Sequence, residues 1–408
     1  MKIRRVAIIL IFLLFPLEVL AEGIRVSPNS ALFATLMLGT RYDDNILFVP
    51  PEDPLGPQSD MEFLASPALL FKLDQTNIKF DIGYTLNSLL YADMGNPEES
   101  HHQYDSLSHL GNLGLTVITN PGFFVGAQGF VEYREATWEE ELYQTYYPTT
   151  MLHEDSTFKL GFKRGPYANL FTDIGYENIW DQKPEHKLDF FDRIQHRGLF
   201  DFKFRFLPRS AVVLNAMIGQ LTYPNPLDLN LYPPDERASI PNGYGATYYQ
   251  GLLGVESNLT TALLIRLLGG YAAMNYESSA SYNGFVADTG IVLDYEKRGR
   301  VGVGYRRFVE DSIMTNYRII DMIYFEAWGL FWKRVKPMFA ANYQMRNYQG
   351  TGNYDEDALS IGPSVEVKFL EWLTSRLDYL YEGMATTTGN SSVDRTRNSV
   401  TLSFIFGF

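Results

Sequence analysis

The chain has 408 residues and a formal charge of -14, with 27 Tyr, 28 Phe, 33 Gly and no Cys. The acidic balance argues against nucleic acid as a partner, because proteins that bind a phosphate backbone need clustered Lys and Arg. Without Cys the chain forms no disulfide, no thiolate metal site and no lipid-modified cysteine. No metal or cofactor motif is present in the sequence, and we expect no cofactor and no metal.

The first residues have the pattern of an export signal. Three cations precede an apolar run from Val6 to Leu17, namely Lys2, Arg4 and Arg5. A membrane-anchoring helix needs about 20 apolar residues, and Pro16 and Glu18 interrupt the run. The pattern therefore predicts a secretory signal peptide over residues 1–21, cleaved after Ala21, followed by a short periplasmic lead over residues 22–30.

From Ala31 to Phe408 the sequence alternates between apolar and polar residues in eighteen segments. Eight short turns join them, at residues 74–77, 120–122, 164–166, 207–209, 259–261, 297–299, 333–334 and 370–371. They are strictly interleaved with nine longer polar loops, at 43–60, 92–102, 137–150, 182–190, 224–243, 277–283, 311–315, 349–354 and 386–392. Short turns at one end and long loops at the other are typical of outer-membrane barrels with both termini in the periplasm.

We therefore predict an all-β fold, a transmembrane antiparallel barrel of 18 strands that occupies residues 31–408 as one domain. The loops 43–60 and 224–243 are rich in Pro, which predicts stiff excursions rather than more sheet. Either loop could fold over the mouth or into the lumen.

The two faces of many strands are distinct. In the third strand we expect Ile78, Phe80, Ile82, Tyr84 and Leu86 to face lipid, with Lys79, Asp81, Thr85 and Asn87 inside. Strand eight directs Phe200, Phe202, Phe204 and Phe206 outward, and strand twelve directs Phe285, Thr289, Ile291, Leu293 and Tyr295 outward. The segment from Ile319 to Trp332 is apolar on both faces, with Asp321 and Glu326 on opposite parities, so the pattern does not orient it.

Charged residues of both signs fall on the predicted inward parity. The candidate lumen-lining substrate path consists of Arg193, Arg197, Lys203, Arg205, Arg306, Arg376, Arg395, Arg397, Asp288, Asp294 and Glu296. For any one of them, pairing with a neighbouring strand is the first explanation. The functional explanation is that a wall of mixed charge suits a hydrated polar solute, and a ring of Arg would suit an anionic one.

The chain ends in a strand whose outward parity is Val400, Leu402, Phe404, Phe406 and Phe408. In a soluble protein this would be an exposed apolar sheet edge, whereas a closed barrel in lipid needs such a face. The ending, with Phe404, Phe406 and Phe408 as assembly signal, resembles the address read by the bacterial barrel assembly machinery. Outer-membrane lipid and lipopolysaccharide are further expected partners, the latter through divalent cations bridged to acidic loops.

Hydrolase motifs are absent from the sequence. Four histidines fall in or beside long loops, namely His101, His102, His153 and His186, and the pairs that could act at a rim site are His102 with Ser100 or Ser106 and His153 with Asp155. We therefore expect that the protein is not an enzyme. Asp355, Glu356 and Asp357 form a possible cation cluster or a solvated loop face. Seven aromatics are expected to form an interface girdle, or to stack on sugars where they lie on loops: Trp138, Tyr143, Tyr146, Tyr147, Tyr244, Tyr248 and Tyr249.

The first strand and its loop read Leu-Met-Leu-Gly-Thr-Arg-Tyr-Asp-Asp-Asn-Ile-Leu over residues 36–47. Through the motif Arg41, Tyr42, Asp43, Asp44 and Asn45, the chain resembles the beta-barrel porin 2 family of outer-membrane proteins, in which a strand ending Tyr-Asp-Asp-Asn-Ile follows the signal peptide. The resemblance implies a polysaccharide route in exopolysaccharide secretion, with a periplasmic polysaccharide export protein as partner. It supplies no catalytic residues. For the motif itself we expect a turn capped by Asp and Asn side chains.

The sequence thus favours an outer-membrane channel for a hydrated polysaccharide. Two alternatives stay open, a general or small-sugar diffusion porin and a structural or adhesion barrel without transport. A loop folded into the lumen would favour the porin, and a sealed lumen would favour the structural role.

Overall fold

The computed structural model describes residues 23–53, 56–92, 105–119, 122–137, 149–164, 170–182, 192–225, 245–276, 281–296, 298–312, 315–350, 353–389 and 391–407. The predicted signal peptide over residues 1–21 lies outside these ranges, as does most of the loop 224–243. Among the described residues, no helix is long and apolar enough to cross a membrane.

The described chain forms 19 antiparallel strands. They are β1 (Ile24–Ser27), β2 (Ser30–Asp43), β3 (Asp60–Asp74), β4 (Ile78–Tyr91), β5 (Ser106–Ile118), β6 (Phe123–Thr137), β7 (Thr149–Arg164), β8 (Leu170–Gln182), β9 (Arg193–Leu207), β10 (Ser210–Thr222), β11 (Ala246–Asn258), β12 (Leu263–Tyr276), β13 (Tyr282–Asp294), β14 (Gly299–Asp311), β15 (Tyr317–Gly329), β16 (Val335–Gln349), β17 (Tyr354–Leu370), β18 (Leu373–Thr388) and β19 (Ser391–Gly407).

Strands β2 to β19 pair in chain order, and β19 pairs with β2 to close the sheet. This is the predicted 18-stranded antiparallel barrel, in which the last strand pairs with the first strand of the barrel. The additional strand, β1, lies in the predicted lead and forms a hairpin with the start of β2, with Ile24 opposite Leu32. We call the end of the barrel with β1 and the chain terminus the short-turn end, and the opposite end the long-loop end.

Connections between strands agree with the sequence pattern. The first long loop begins after Asp43 and ends before Asp60, at the predicted bounds. In the turn between β11 and β12, Thr260 Oγ1 accepts a hydrogen bond of 2.9 Å from the Leu263 amide, which is the local bonding that favours Thr in turns. The last loop is shorter than the predicted 386–392, because β18 continues to Thr388 and β19 begins at Ser391.

The predicted alternation of faces is confirmed in the strands where it is clear. On β4, the apolar side chains Ile78, Ile82 and Tyr84 are exposed on one face. On β9, Phe204 and Phe206 are exposed outside, while Lys203 on the other parity is paired with an acidic residue of β11. The apolar exposed face is the one that a barrel turns to lipid.

Candidate functional site: the inner wall of the barrel

Charged side chains on the inward face form ion pairs between neighbouring strands. Arg197 on β9 lies 2.9 Å from Glu177 on β8. Asp288 on β13 is shared by Arg266 and Arg306, at 3.3 and 3.4 Å. Such pairs hold polar groups in fixed positions and cancel most of the field of either sign. The wall therefore presents hydrogen-bond donors and acceptors more than net charge.

The structure places most residues of the predicted substrate path on this wall. Those with an inward ion-pair partner are Arg193 with Asp181, Arg197 with Glu177, Lys203 with Glu256, Arg306 with Asp288, Arg376 with Asp378 and Arg397 with Glu382. Arg205 shares the inward parity of β9, and Arg395 on β19 donates to Thr386 Oγ1 at 3.4 Å.

The turn between β13 and β14 corrects the prediction for one path residue. Asp294 is the last residue of β13, and its Oδ1 accepts a hydrogen bond of 2.7 Å from the amide of Glu296. Glu296 adopts a φ of 57°, the left-handed conformation of a turn. Because the chain reverses here, the alternation does not extend to Glu296, which stands at the turn rather than on the strand wall.

The motif of the first strand forms a clasp across the seam that closes the barrel. The β19–β2 ladder ends at Ser399 opposite Asp43. Beyond that point, Asp44 accepts hydrogen bonds from the Asn398 amide at 2.6 Å and from Asn398 Nδ2 at 2.7 Å. Asn45 Nδ2 donates to the Thr396 carbonyl at 2.9 Å. The Asp44 amide also donates to the Asn398 carbonyl at 3.1 Å, so one backbone bond and these side-chain bonds continue the seam after the regular ladder has ended.

Within the same motif, local bonds shape the turn. Asp43 Oδ1 accepts the Asn45 amide at 2.9 Å, and Asn45 Oδ1 accepts the Val49 amide at 3.1 Å. This is the capped turn that the sequence predicts, with the cross-seam bonds in addition. Arg41 lies 2.5 Å from Glu62 on the inner wall, whereas Tyr42 is exposed on the outer face.

The first long loop folds inward after this turn. Its apolar residues Ile46, Leu47, Phe48 and Val49 are at most 6% exposed, and Ile46, Leu47 and Val49 pack with Tyr91. The guanidinium of Arg397, on the inner wall, lies 5.1 Å from the centre of the Phe48 ring. Of the two placements open to this loop, the structure therefore shows insertion into the lumen. Phe48 has a φ of 50°, a conformation that costs a side-chain-bearing residue about 1 kcal/mol and is held here by burial.

A second seam, between β13 and β14, separates at the long-loop end. Its ladder runs from Asp294 opposite Arg300 only as far as Ala287 opposite Arg307. The β12–β13 ladder continues to Tyr282, and the β14–β15 ladder continues to Asp311 opposite Tyr317. Between Ala287 and the long-loop end, β13 and β14 are therefore not paired with each other.

The tip of the β14–β15 hairpin lies inside β10–β13. Val309 and Ile319 belong to the face of β14 and β15 that points outward nearer the short-turn end. At the tip, however, they pack against buried residues of the inner wall. The rings of Tyr276 and Tyr317 stack with centroids 6.2 Å apart. Since the outer face of one sheet segment covers the inner face of another, the wall forms two overlapping layers here. The main buried apolar cluster of the described residues lies between them, and we call this arrangement the overlap.

Polar contacts anchor the hairpin tip in the overlap. Asp311 accepts hydrogen bonds from the hydroxyls of Tyr223 at 2.5 Å and Tyr276 at 2.9 Å. Arg193 Nη1 lies 4.0 Å from Asp311. At the tip itself, Ser312 and Thr315 are 1% exposed and bonded to each other. A buried polar tip with its groups bonded is a fixed part of the fold.

Sequence reasoning did not identify Asp311, Tyr223, Tyr276 or Tyr317 as a group. One signal of the overlap is nevertheless present in the sequence, since the segment from Ile319 to Trp332 is apolar on both parities. Near the tip both faces of β15 are covered by protein, which explains why the alternation fails there. Asp321 and Glu326 pair on opposite faces, Asp321 with Arg307 outside and Glu326 with Arg300 inside.

The hydrolase candidates are only partly described. Ser100, His101, His102 and His186 lie outside the described residues. His153 faces inward and its Nδ1 lies 2.6 Å from Asp181, which is in turn bonded to Arg193. His153, a candidate for a rim site with Asp155, therefore takes part in a salt-bridge network with Asp181 and Arg193. The prediction that the protein is not an enzyme stays a prediction.

Two further predictions are modified. Glu356 is bonded to Arg346 at 2.7 Å and faces inward, and no cluster of metal-ligating residues occurs in the described part of the chain. Tyr248 is 7% exposed on the inner wall and accepts a hydrogen bond from Arg197, so it does not belong to an interface girdle. Tyr249 is exposed on the outer face, as a girdle residue would be. The girdle residues Trp138, Tyr143, Tyr146, Tyr147 and Tyr244 lie outside the described residues.

The last strand closes the barrel as its sequence predicts. Phe404 lies opposite Leu38, and Phe406 lies opposite Leu36. The ladder ends with Gly407 opposite Thr35 at the short-turn end. Phe408 lies outside the described residues, and its role as an assembly signal stays a prediction.

No family model and no curated protein matches the sequence. Among solved structures, the chain is similar to the FrpB iron transporter of Neisseria meningitidis in its apoprotein form, at 7% identity and a TM-score of 0.51, over 95% of this chain and 82% of that one. It is also similar to the siderophore receptor PirA of Pseudomonas aeruginosa, at 8% identity and a TM-score of 0.47, over 94% and 81%. A bacterial polysaccharide outer membrane secretin matches at 8% identity and a TM-score of 0.36, over 92% and 98%.

At these identities the similarity is one of fold. The chain is an outer-membrane β-barrel, and the predicted location in the bacterial outer membrane is confirmed. The narrower resemblance carried by residues 41–45 stays a prediction.

Proposed function

We propose that this barrel passes a hydrated polysaccharide chain across the outer membrane as part of exopolysaccharide secretion, together with a periplasmic export protein. The observation that carries the proposal is the inner wall. Its charges are paired between strands, as for Arg197 with Glu177 and Arg397 with Glu382, so it offers many hydrogen-bonding groups and little net charge. A neutral, hydrophilic wall lets a polyhydroxylated chain exchange water for wall contacts without being held by any one of them.

The first-strand motif supports the same function through its resemblance to the beta-barrel porin 2 family. In this chain the motif residues Asp44 and Asn45 bridge the closing seam, and the loop that follows enters the lumen. The same short segment of sequence therefore helps to close the barrel and places a loop in the transport path.

Deletion of the gene in its host tests the proposal. Surface polymer should fall strongly while polymer or its precursors accumulate in the periplasm, and a plasmid copy should restore export. The control is a copy with Tyr42→Phe, a change on the lipid-facing side of the motif strand. Normal surface polymer after deletion would remove the proposal.

A small-sugar diffusion porin is the second candidate, because two elements narrow the path. The stretch Ile46 to Val49 and the tip of the β14–β15 hairpin both fold to the lumen side. If the protein is such a porin, its permeability should fall steeply as the size of the solute increases. Swelling of liposomes that contain the purified barrel, measured with a series from monosaccharide to hexasaccharide, distinguishes it from a polymer path.

A further inference from the structure

A cavity of about 360 Å³ lies beside the tip of the β14–β15 hairpin, between it and the inner wall of β9–β12. Its volume falls at the lower end of the range for small-molecule sites, roughly 300 to 1,000 Å³. The fixed wall contributes Arg197, Tyr248 and Gln250, and the hairpin contributes Glu310 and Arg318. A molecule in the cavity would contact both layers of the overlap.

The polar groups around the cavity are held in place by their neighbours. Arg197 donates through Nη1 to Glu177 at 2.9 Å and through Nε to the Tyr248 hydroxyl at 2.7 Å. Arg318 donates to Glu310 from Nε and Nη2, at 3.1 and 2.9 Å. Because these groups are already oriented, a ligand loses little free energy in ordering them.

The charges around the cavity favour an uncharged ligand. The guanidinium groups of Arg193, Arg197 and Arg318 each have a carboxylate partner within 3 Å, namely Asp181, Glu177 and Glu310. A polyanion would have to displace one of these carboxylates or accept its repulsion. A hydroxyl group, which both donates and accepts, is compatible with a guanidinium and a carboxylate side by side.

Apolar side chains complete the cavity lining. Met217, Met274 and Val309 contribute carbon and sulfur surface next to the polar groups. A sugar ring has the complementary pattern, with hydroxyls at its edge and C–H groups on its faces. We propose that this cavity is a binding site for one sugar unit of an uncharged saccharide chain, a proposal that rests on the polysaccharide function.

Single-channel recording tests the site with two probes, maltohexaose as the uncharged chain and a galacturonic acid hexamer as the anionic one. Maltohexaose at millimolar concentration should interrupt the ionic current, and the anionic hexamer should interrupt it much less. Gln250→Ala removes a side-chain amide at the cavity and should weaken the maltohexaose block about fivefold to tenfold, the effect of one or two hydrogen bonds.

Matched variants make the result specific. Gln128→Ala removes an inward Gln from β6, on another part of the wall, and should leave the block unchanged. Ala272→Leu fills the cavity and should weaken the block without removing any hydrogen bond. Each variant is first checked for the mobility shift of a folded barrel on unheated gels, so that the block is compared among folded proteins.

Three results would overturn the site: no block by maltohexaose, equal block in the Gln250→Ala and Gln128→Ala variants, or tighter block by the anionic hexamer. The polysaccharide function is judged separately by the deletion strain. If export is lost in the deletion strain but maltohexaose does not block the current, the sugar site is refuted and the polysaccharide function stands. If export is normal in the deletion strain, the polysaccharide function is refuted, whatever the result of the block.

Discussion

Two seams of this barrel, β19–β2 and β13–β14, both lose their backbone ladder before the long-loop end, and they respond differently. At β19–β2, the Asp44 amide and the side chains of Asp44 and Asn45 continue the bonding beyond the ladder and hold the two strands side by side. At β13–β14, the strands part above Ala287, and the tip of β14–β15 moves inside its neighbours. The wall therefore stays a single layer at the β19–β2 seam, whereas it forms two layers at the β13–β14 seam.

The difference shows how a barrel satisfies backbone groups that leave a ladder. In lipid an unpaired amide or carbonyl costs several kcal/mol, so a seam can part only where water or protein meets the freed groups. Polar side chains meet them at the clasp. At the overlap, the hairpin keeps its own β14–β15 pairing, the Tyr282 hydroxyl donates to the Phe285 carbonyl of β13, and the rings of Tyr276, Tyr282 and Tyr317 pack together.

The largest change is expected from Asp311→Ala, which breaks the polar anchor of the overlap. The hydroxyls of Tyr223 and Tyr276 lose the Asp311 carboxylate as an acceptor, although Tyr276 keeps the Asn316 carbonyl, and Arg193 loses Asp311 and keeps Asp181. The hairpin tip should be destabilised by about 2–3 kcal/mol and spend time away from the wall. Single-channel conductance should rise and become noisier. Asp74→Ala, which removes an exposed carboxylate at the turn between β3 and β4, should leave the conductance as it is, and a rise in both variants would argue against the overlap as the cause.

A smaller change is expected from Asn45→Ala at the clasp. The variant removes the bonds of Asn45 to the Thr396 carbonyl and to Val49, about 2 kcal/mol in total. The temperature at which the folded barrel loses its mobility shift should fall by several degrees. Asn342→Ala, on another strand of the inner wall, provides the control. An unchanged transition temperature would mean that the backbone ladder alone closes this seam.

Tyr276→Phe sharpens the comparison within the overlap. It keeps the ring that stacks on Tyr317 but removes the hydroxyl, whose acceptors at the hairpin tip are Asp311 and the Asn316 carbonyl. We expect a loss of about 1 kcal/mol and a smaller rise in conductance than for Asp311→Ala. If Tyr276→Phe equalled Asp311→Ala, the hydroxyl rather than the whole polar anchor would hold the tip.

The smallest effect on the folded barrel is expected from deletion of Phe408. The ladder of the closing seam already ends at Gly407 opposite Thr35, so transition temperature and conductance should match those of the protein that retains Phe408. The yield of assembled barrel should fall severalfold, because the terminal Phe is the predicted address for assembly. Quantification of folded and unfolded forms in outer-membrane fractions measures this, and a normal yield would contradict the assigned role.

The barrel itself was predictable from the sequence, because alternation has the same period as the side chains of a strand. Asp43 and Asp60, which bound the first loop, follow from composition alone. The overlap was not predictable, since the contact of Asp311 with Tyr223 and Tyr276 depends on where a ladder ends, which residue types do not encode. Tyr248 was expected at the membrane interface and lies inside, because its position on β11 has the inward parity. For the loop that contains Phe48, the sequence left both placements open, and the contact with Arg397 shows that it enters the lumen.

The most direct measurement is the ionic current through single purified barrels in a planar bilayer. The barrel is closed, and the first loop and the hairpin tip narrow its polar, charge-paired inner wall. We therefore expect a steady current with little preference between anions and cations. The absence of current through barrels that are shown to be folded would contradict an open path and indicate a sealed lumen and a structural role.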